Sequence, residues 1–179
     1  EAEKRLRAAA PGSLQLVLVG KKGRDYFKRR SYPILATYVD FPADASIDFA
    51  RELTKDLTEL FVSGQVDRVE IQYTHFVNAI TRKVQTEVFL PVGGAEAGDV
   101  ASADNGTIFE PDAETIFGEL LPRYATAKLY AAMADARASE ESARMVAMGA
   151  ARKNAGERAD ARTWQGNRLR QERIRPGRA

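Results

Sequence analysis

The chain has 179 residues, 44% of them apolar, with no cysteine and a single histidine. That length allows one compact domain with an extended appendage and is too short for two domains of typical size, while the absence of cysteine excludes disulfides, thiolate nucleophiles and Cys-ligated metals. The formal net charge of +2 conceals an asymmetry, because residues 1–151 carry 18 basic and 22 acidic groups whereas residues 152–179 carry 9 and 3.

A basic tail on an acidic body suits nucleic acid, an anionic membrane surface or an acidic protein partner, and charge alone does not choose among them. No apolar run approaches the ~20 residues that a membrane-spanning helix needs, and the start lacks a signal-peptide core, so the chain itself is expected to be soluble.

Residues 1–10 are strong helix formers that stop at Pro11-Gly12 and read as the last turns of a helix. Leu14 to Val19 form a short apolar run closed by Gly20, which predicts a strand covered on both faces. A loop and short basic helix over Gly20–Arg30 lead to a second strand near Ile34–Val39. Asp44 or Ser46 caps the next helix, in which Ile47, Phe49, Ala50, Leu53, Leu57, Leu60 and Phe61 recur at helical spacing before Gly64 ends it. Residues 66–77 and 83–92, rich in Val, Ile, Tyr, Phe and Thr, predict an antiparallel hairpin joined through Asn78–Arg82. Residues 93–109 lack periodicity and read as a surface loop.

From Asp112 to about Arg175 helix formers are nearly unbroken, which predicts a helix of roughly 95 Å at 1.5 Å per residue. Pro122 is expected to kink or restart it, with Gly149 and Gly156 as further soft points. Phe117, Leu120, Tyr124, Ala127, Ala131, Ala134, Ala138, Met145 and Met148 alternate steps of three and four, interrupted at Glu141, and form a coiled-coil stripe. So many alanines permit close approach but bury little surface, so a partner helix is implied. The resulting fold class is α/β: a Rossmann-like mixed-sheet domain over 1–110, followed over 111–179 by a long C-terminal helix with a basic tail.

The residues offer little catalytic chemistry. Gly20-Lys21-Lys22-Gly23 follows a strand as phosphate loops do, but lacks the spaced second glycine and the Lys-Ser/Thr pair. Lys21, Lys22, Arg24, Lys28, Arg29 and Arg30 therefore read as a solvated basic face. His75 has no second His or Cys to complete a metal or nucleophile set and reads as a satisfied strand residue. Asp135 with Ser139, and Glu140 beside Glu141, read as the polar side of a helix. The tail holding Trp164 fits a nucleic-acid-contacting helix and a helix threading an acidic protein collar equally well.

Three segments choose between these. Residues 16–30 (LVLVGKKGRDYFKRR), 73–92 (YTHFVNAITRKVQTEVFLPV) and 110–157, above all ASEESARMVAM at 138–148, resemble the gamma subunit of F-type ATP synthases, as does NRLRQERI at 167–174 in the place of that family's C-terminal motif. The resemblance implies an α/β domain flanked by terminal helices that wrap as an antiparallel coiled coil. It also implies a non-catalytic rotor shaft that carries torque between a proton-driven c ring and catalytic β subunits.

The implied partners are the α and β subunits, the epsilon subunit and the c-subunit ring, with no nucleic acid and no cofactor. The implied location is peripheral, at the cytoplasmic face of a bacterial plasma membrane. By similarity, Arg144, Met145 and Met148 lie where the shaft nears the collar or its partner helix, and Arg170 and Gln171 match the distal motif that approaches a β-subunit loop. Relative to the family pattern, the long N-terminal helix, first strand and extreme C-terminus are not represented, Gly149 replaces a usual Lys, and Arg175 a usual Thr. A nucleotide-binding or nucleic-acid-binding small α/β protein is the alternative.

Overall fold

The structure, a computed structural model, describes residues 1–10, 12–30, 32–39, 46–93 and 113–175. The loop expected after Gly93 and the caps expected at Asp44 and Asp112 lie outside the described residues.

Helix α1 (Ala2–Ala8) occupies the predicted N-terminal segment. Its Glu3 carboxylate accepts hydrogen bonds from the Tyr26 hydroxyl and from Arg7, at 2.6 Å for the latter, and the Tyr26 bond is the main reason its pKa falls below the ordinary carboxylate value. Arg5 reaches across to Glu70. These polar ties attach a helix that has no buried residue of its own.

Strands β1 (Leu16–Val19) and β2 (Ile34–Tyr38) pair in parallel, Val17 opposite Ala36 and Val19 opposite Tyr38, with helix α2 (Lys21–Lys28) between them in sequence. Gly20 turns the chain from strand to helix at φ 104°, a conformation open to glycine and strained for other residues. The expectation that β1 is covered on both faces holds at its middle and fails at its end. Leu18 is buried and Val17, pointing to the opposite face, lines the core, whereas Val19 is 41% exposed.

Helix α3 (Ile47–Val62) begins and ends as its sequence dictates. The Ser46 hydroxyl accepts from the Asp48 N–H at 3.2 Å, satisfying one of the free amides of the first turn. At the other end Gly64 takes φ 70°, and Gln65 and Gly64 donate to the carbonyls of Leu60 and Phe61, both at 3.1 Å, the paired closure of a Schellman motif.

Strands β3 (Val69–Phe76) and β4 (Arg82–Leu90) form the predicted hairpin, with Phe76 opposite Arg82 and a bulge beside Val69. The Asn78 carbonyl oxygen holds the turn by accepting from the amides of Ile80 and Thr81 at 3.0 and 2.7 Å. Both pairing senses expected of the mixed sheet are therefore present, in two ladders rather than one among the described residues.

Helix α4 (Ala113–Ile174) runs 62 residues, roughly 93 Å of axis. It neither stops nor restarts at Pro122, Gly149 or Gly156. The core joins three elements: Ala50, Leu53 and Leu57 of α3, Phe89 and Leu90 of β4, and Ala125, Leu129 and Met133 of α4, with Tyr38, Phe49 and Ile71 at its margin. The first half of α4 is thus a wall of the domain, and the rest leaves it.

Candidate functional site

Helix α4 carries the features with functional content, and the structure divides it into two faces and two lengths. At 100° per residue, Ala125, Leu129, Ala132, Met133 and Ser139 share one side and are buried, while Ser142, also buried, lies at the edge toward the other side. The predicted coiled-coil stripe lies on the other side. Phe117, Leu120, Tyr124, Ala127, Ala131 and Ala138 are all exposed, and Ala134 is half-buried. The stripe therefore does not hold α4 to its own domain. The face that does so was not singled out in sequence, although its small and apolar residues also recur at three- and four-residue steps.

That face changes character along its length. Near its base it is apolar, with Ala125, Leu129 and Met133 against Ile71 and Phe89. Polar contacts are interleaved with it at Lys128 and take over beyond Met133. Lys128 donates to the carbonyl of Val88 at 2.8 Å and lies 3.7 Å from the Glu87 carboxylate. Glu87 also accepts from the Tyr73 hydroxyl at 2.8 Å and from Gln85. Burial first, and then the Glu87 bond, push the Tyr73 phenol up to about 12.

Asp135 meets Nδ1 of His75, and Ser139, only 2% exposed, donates to the carbonyl of Thr74 at 3.1 Å. Asp135 and Ser139, read in sequence as part of the polar side of the helix, instead face the hairpin. Ser139 is buried against the strand, and its hydroxyl satisfies a strand carbonyl. His75 is the satisfied strand residue expected, with Asp135 as its partner. Glu140 and Glu141 do lie on the exposed side, paired with Arg137 and Arg144.

Past Ala143 every described residue of α4 is exposed, over 31 residues of helix or roughly 46 Å. Arg144 is clamped by Glu140 and Glu141, each at 2.7 Å. Met145 and Met148, 62% and 66% exposed, line a shallow depression with Glu141, Arg144, Gly149 and Arg152. Arg170 and Gln171 are exposed some 33 Å farther along the axis. The structure thus gathers Arg144, Met145 and Met148 into one patch and leaves Arg170 and Gln171 as a separate one. Trp164, at 79% exposure, stands between them.

Elsewhere, the Gly20–Gly23 segment leads directly into the first turn of α2, with Lys21, Lys22, Lys28, Arg29 and Arg30 exposed as expected for a solvated basic face. Arg24, half-buried, pairs with Asp25. Among the described residues no group of three or more His, Asp or Glu side chains is placed to hold a metal, and no helix is long and apolar enough to cross a membrane.

A family profile described as ATP synthase matches residues 1–175. The chain belongs to the ATP synthase gamma family. It is 39% identical over 168 residues to the ATP synthase gamma chain of Heliobacterium modesticaldum, covering 90% of this chain and 58% of that one. With the gamma chain of Moorella thermoacetica the identity is 41% over 160 residues, covering 89% and 55%. The chain therefore spans somewhat more than half the length of these gamma relatives.

Among solved structures, the central stalk and c-ring of the Tetrahymena thermophila mitochondrial ATP synthase matches with a TM-score of 0.63 at 24% identity, over 84% of this chain and 66% of that one. The rotor of the Euglena gracilis mitochondrial enzyme matches with a TM-score of 0.63 at 19% identity, over 97% and 67%. At these identities the likeness is one of fold: small sheets beside a long C-terminal helix.

Proposed function

We propose that the chain acts as a rotor shaft in an ATP synthase, carrying torque between a c-subunit ring and the catalytic β subunits during ATP synthesis or hydrolysis, and that it makes and breaks no bond itself. The observation that carries this reading is α4: its first half is built into the domain, and its second half projects as roughly 46 Å of wholly exposed helix. A lone helix of that length has no packing of its own to stabilise it, so it requires an enclosing partner. The last 28 residues of the chain carry 9 basic and 3 acidic groups, which suits a polar or acidic collar.

On this reading the chain divides into a domain over 1–110, which meets the epsilon subunit and the c ring, and a shaft over 111–179, which enters a ring of α and β subunits. The patch of Arg144, Met145 and Met148 and the distal pair Arg170 and Gln171 are then contact points with that ring or with a partner helix. The corresponding location is the cytoplasmic face of a bacterial plasma membrane, as a peripheral subunit.

The test is a chimaera in which residues 1–175 replace the matching region of a bacterial gamma chain. Co-expression with that enzyme's α and β subunits is expected to yield a complex whose ATP hydrolysis drives rotation of a probe fixed to the domain. Failure of the chimaera to assemble with α and β overturns the reading.

A further inference from the structure

The join between α4 and the β3–β4 hairpin has two kinds of contact with different mechanical properties. Apolar burial at Leu129, Met133 and Phe89 is proportional to area and indifferent to direction. It resists separation of helix and hairpin far more than it resists a small rotation of one on the other. Hydrogen bonds weaken steeply with angle and so oppose such rotation.

Three of them span the join. Lys128 bonds the carbonyl of Val88 at its base, Asp135 meets His75, and Ser139 bonds the carbonyl of Thr74 toward the hairpin tip. From Lys128 to Ser139 they cover roughly 17 Å of the helix axis.

Building on the rotor reading, we propose that Lys128, Asp135 and Ser139 are positioning residues that lock the rotational phase of α4 against the hairpin. Torque entering at the hairpin reaches the projecting helix through this join and through the apolar core beneath it, which α3 shares. The bonds convert a sliding contact into a keyed one.

The hairpin side of the lock is itself held in place. His75 faces Asp135 from α4, Lys83 as its cross-strand partner on β4, and Tyr73 edge-on at 6.5 Å within β3, the Tyr73 hydroxyl being held in turn by Glu87.

The chain has no cysteine, so nitroxides attached through Ile80→Cys in the hairpin loop and Ala150→Cys on α4 report a single distance. In pulsed dipolar spectroscopy the distance distribution of the parent chain is expected to be narrow. Asp135→Ala and Ser139→Ala are each expected to broaden it, and Asp135→Glu, which keeps a carboxylate for His75, to recover most of the parent width. His75→Ala, which removes the same bond from the hairpin side, guards against misfolding of the Asp135 variant and is expected to broaden it equally. Glu140→Ala, on the exposed side of α4, is expected to leave it unchanged.

Unchanged widths in Asp135→Ala and Ser139→Ala, or equal broadening in Glu140→Ala, overturn the proposal. The measurement uses this chain alone, so failure of the chimaera to assemble leaves it standing, and a chimaera that assembles does not rescue a lock these spectra refute.

Discussion

Ser139, in the middle of a 62-residue helix, donates its hydroxyl at 3.1 Å to the main-chain carbonyl of Thr74 on the neighbouring strand. Sixty-five positions separate the two in sequence, and the serine is 2% exposed. Replacing it with alanine leaves a strand carbonyl without its partner, and such a loss costs about 1–2 kcal/mol. Ser139→Leu is expected to cost more, because the added bulk forces helix and hairpin apart. Urea unfolding of the two variants checks the order.

The two faces of α4 should answer differently to truncation. Leu129→Ala, in the core shared with Leu53 and Phe89, is expected to destabilise the chain by about 3 kcal/mol. Leu120→Ala, on the exposed stripe, is expected to change it by less than about 0.5 kcal/mol. Equal losses at the two positions would show that the stripe is already covered in the isolated chain.

Thr54 is 4% exposed on the inner side of α3, and its hydroxyl has no hydrogen-bond partner. Thr54→Val keeps the shape and removes the stranded polar group, so thermal unfolding is expected to show unchanged or improved stability, by up to about 1 kcal/mol. A clear loss of stability would reveal a partner for that hydroxyl, such as a buried water.

Two phenols give the chain an alkaline limit. Burial, followed by hydrogen bonds to Asp56 and Glu87, pushes Tyr38 and Tyr73 up to about 12 from an ordinary value of 10.0. The fold thus favours the neutral phenol. That contribution is complete below about pH 10 and is lost as the pH rises toward about 12. Stability measured across this window should fall, and Tyr38→Phe and Tyr73→Phe should each flatten the slope even where they lower stability at neutral pH.

Met145→Ala and Met148→Ala remove exposed side chains and are expected to leave the stability of the isolated chain within about 0.5 kcal/mol of the parent. Any loss should appear instead in the assembled chimaera, as weaker retention of the chain by α and β subunits on dilution. A stability loss in the isolated chain would mean that the patch packs against the chain itself.

Much of this fold was legible in sequence because its elements carry their own punctuation. Ser46 and Gly64 bracket α3 through hydrogen bonds made within a few residues of each end, and Asn78 closes the hairpin by bonding its own turn. Such signals are local and need no knowledge of the rest of the chain. The segments around 16–30, 73–92 and 138–148 likewise sufficed to place the chain in its family.

Cover at β1 was legible only in part, because an apolar run reports that a strand can be buried on both faces and not how far its neighbours extend, and Val19 at its end is left exposed.

Sequence by itself determined the length of α4 and its company of elements, since helix propensity and periodicity are properties of the segment. Only the tertiary structure decided which way that helix faces. Periodicity identifies a buried face when the opposite face is polar, and here both sides carry small or apolar residues at the same spacing: Ala127, Ala131 and Ala138 on one, Ala125, Leu129 and Ala132 on the other. What breaks the tie is distant in sequence. A strand carbonyl at Thr74, an imidazole at His75 and a carboxylate at Glu87 select Ser139, Asp135 and Lys128, and no local pattern encodes that choice.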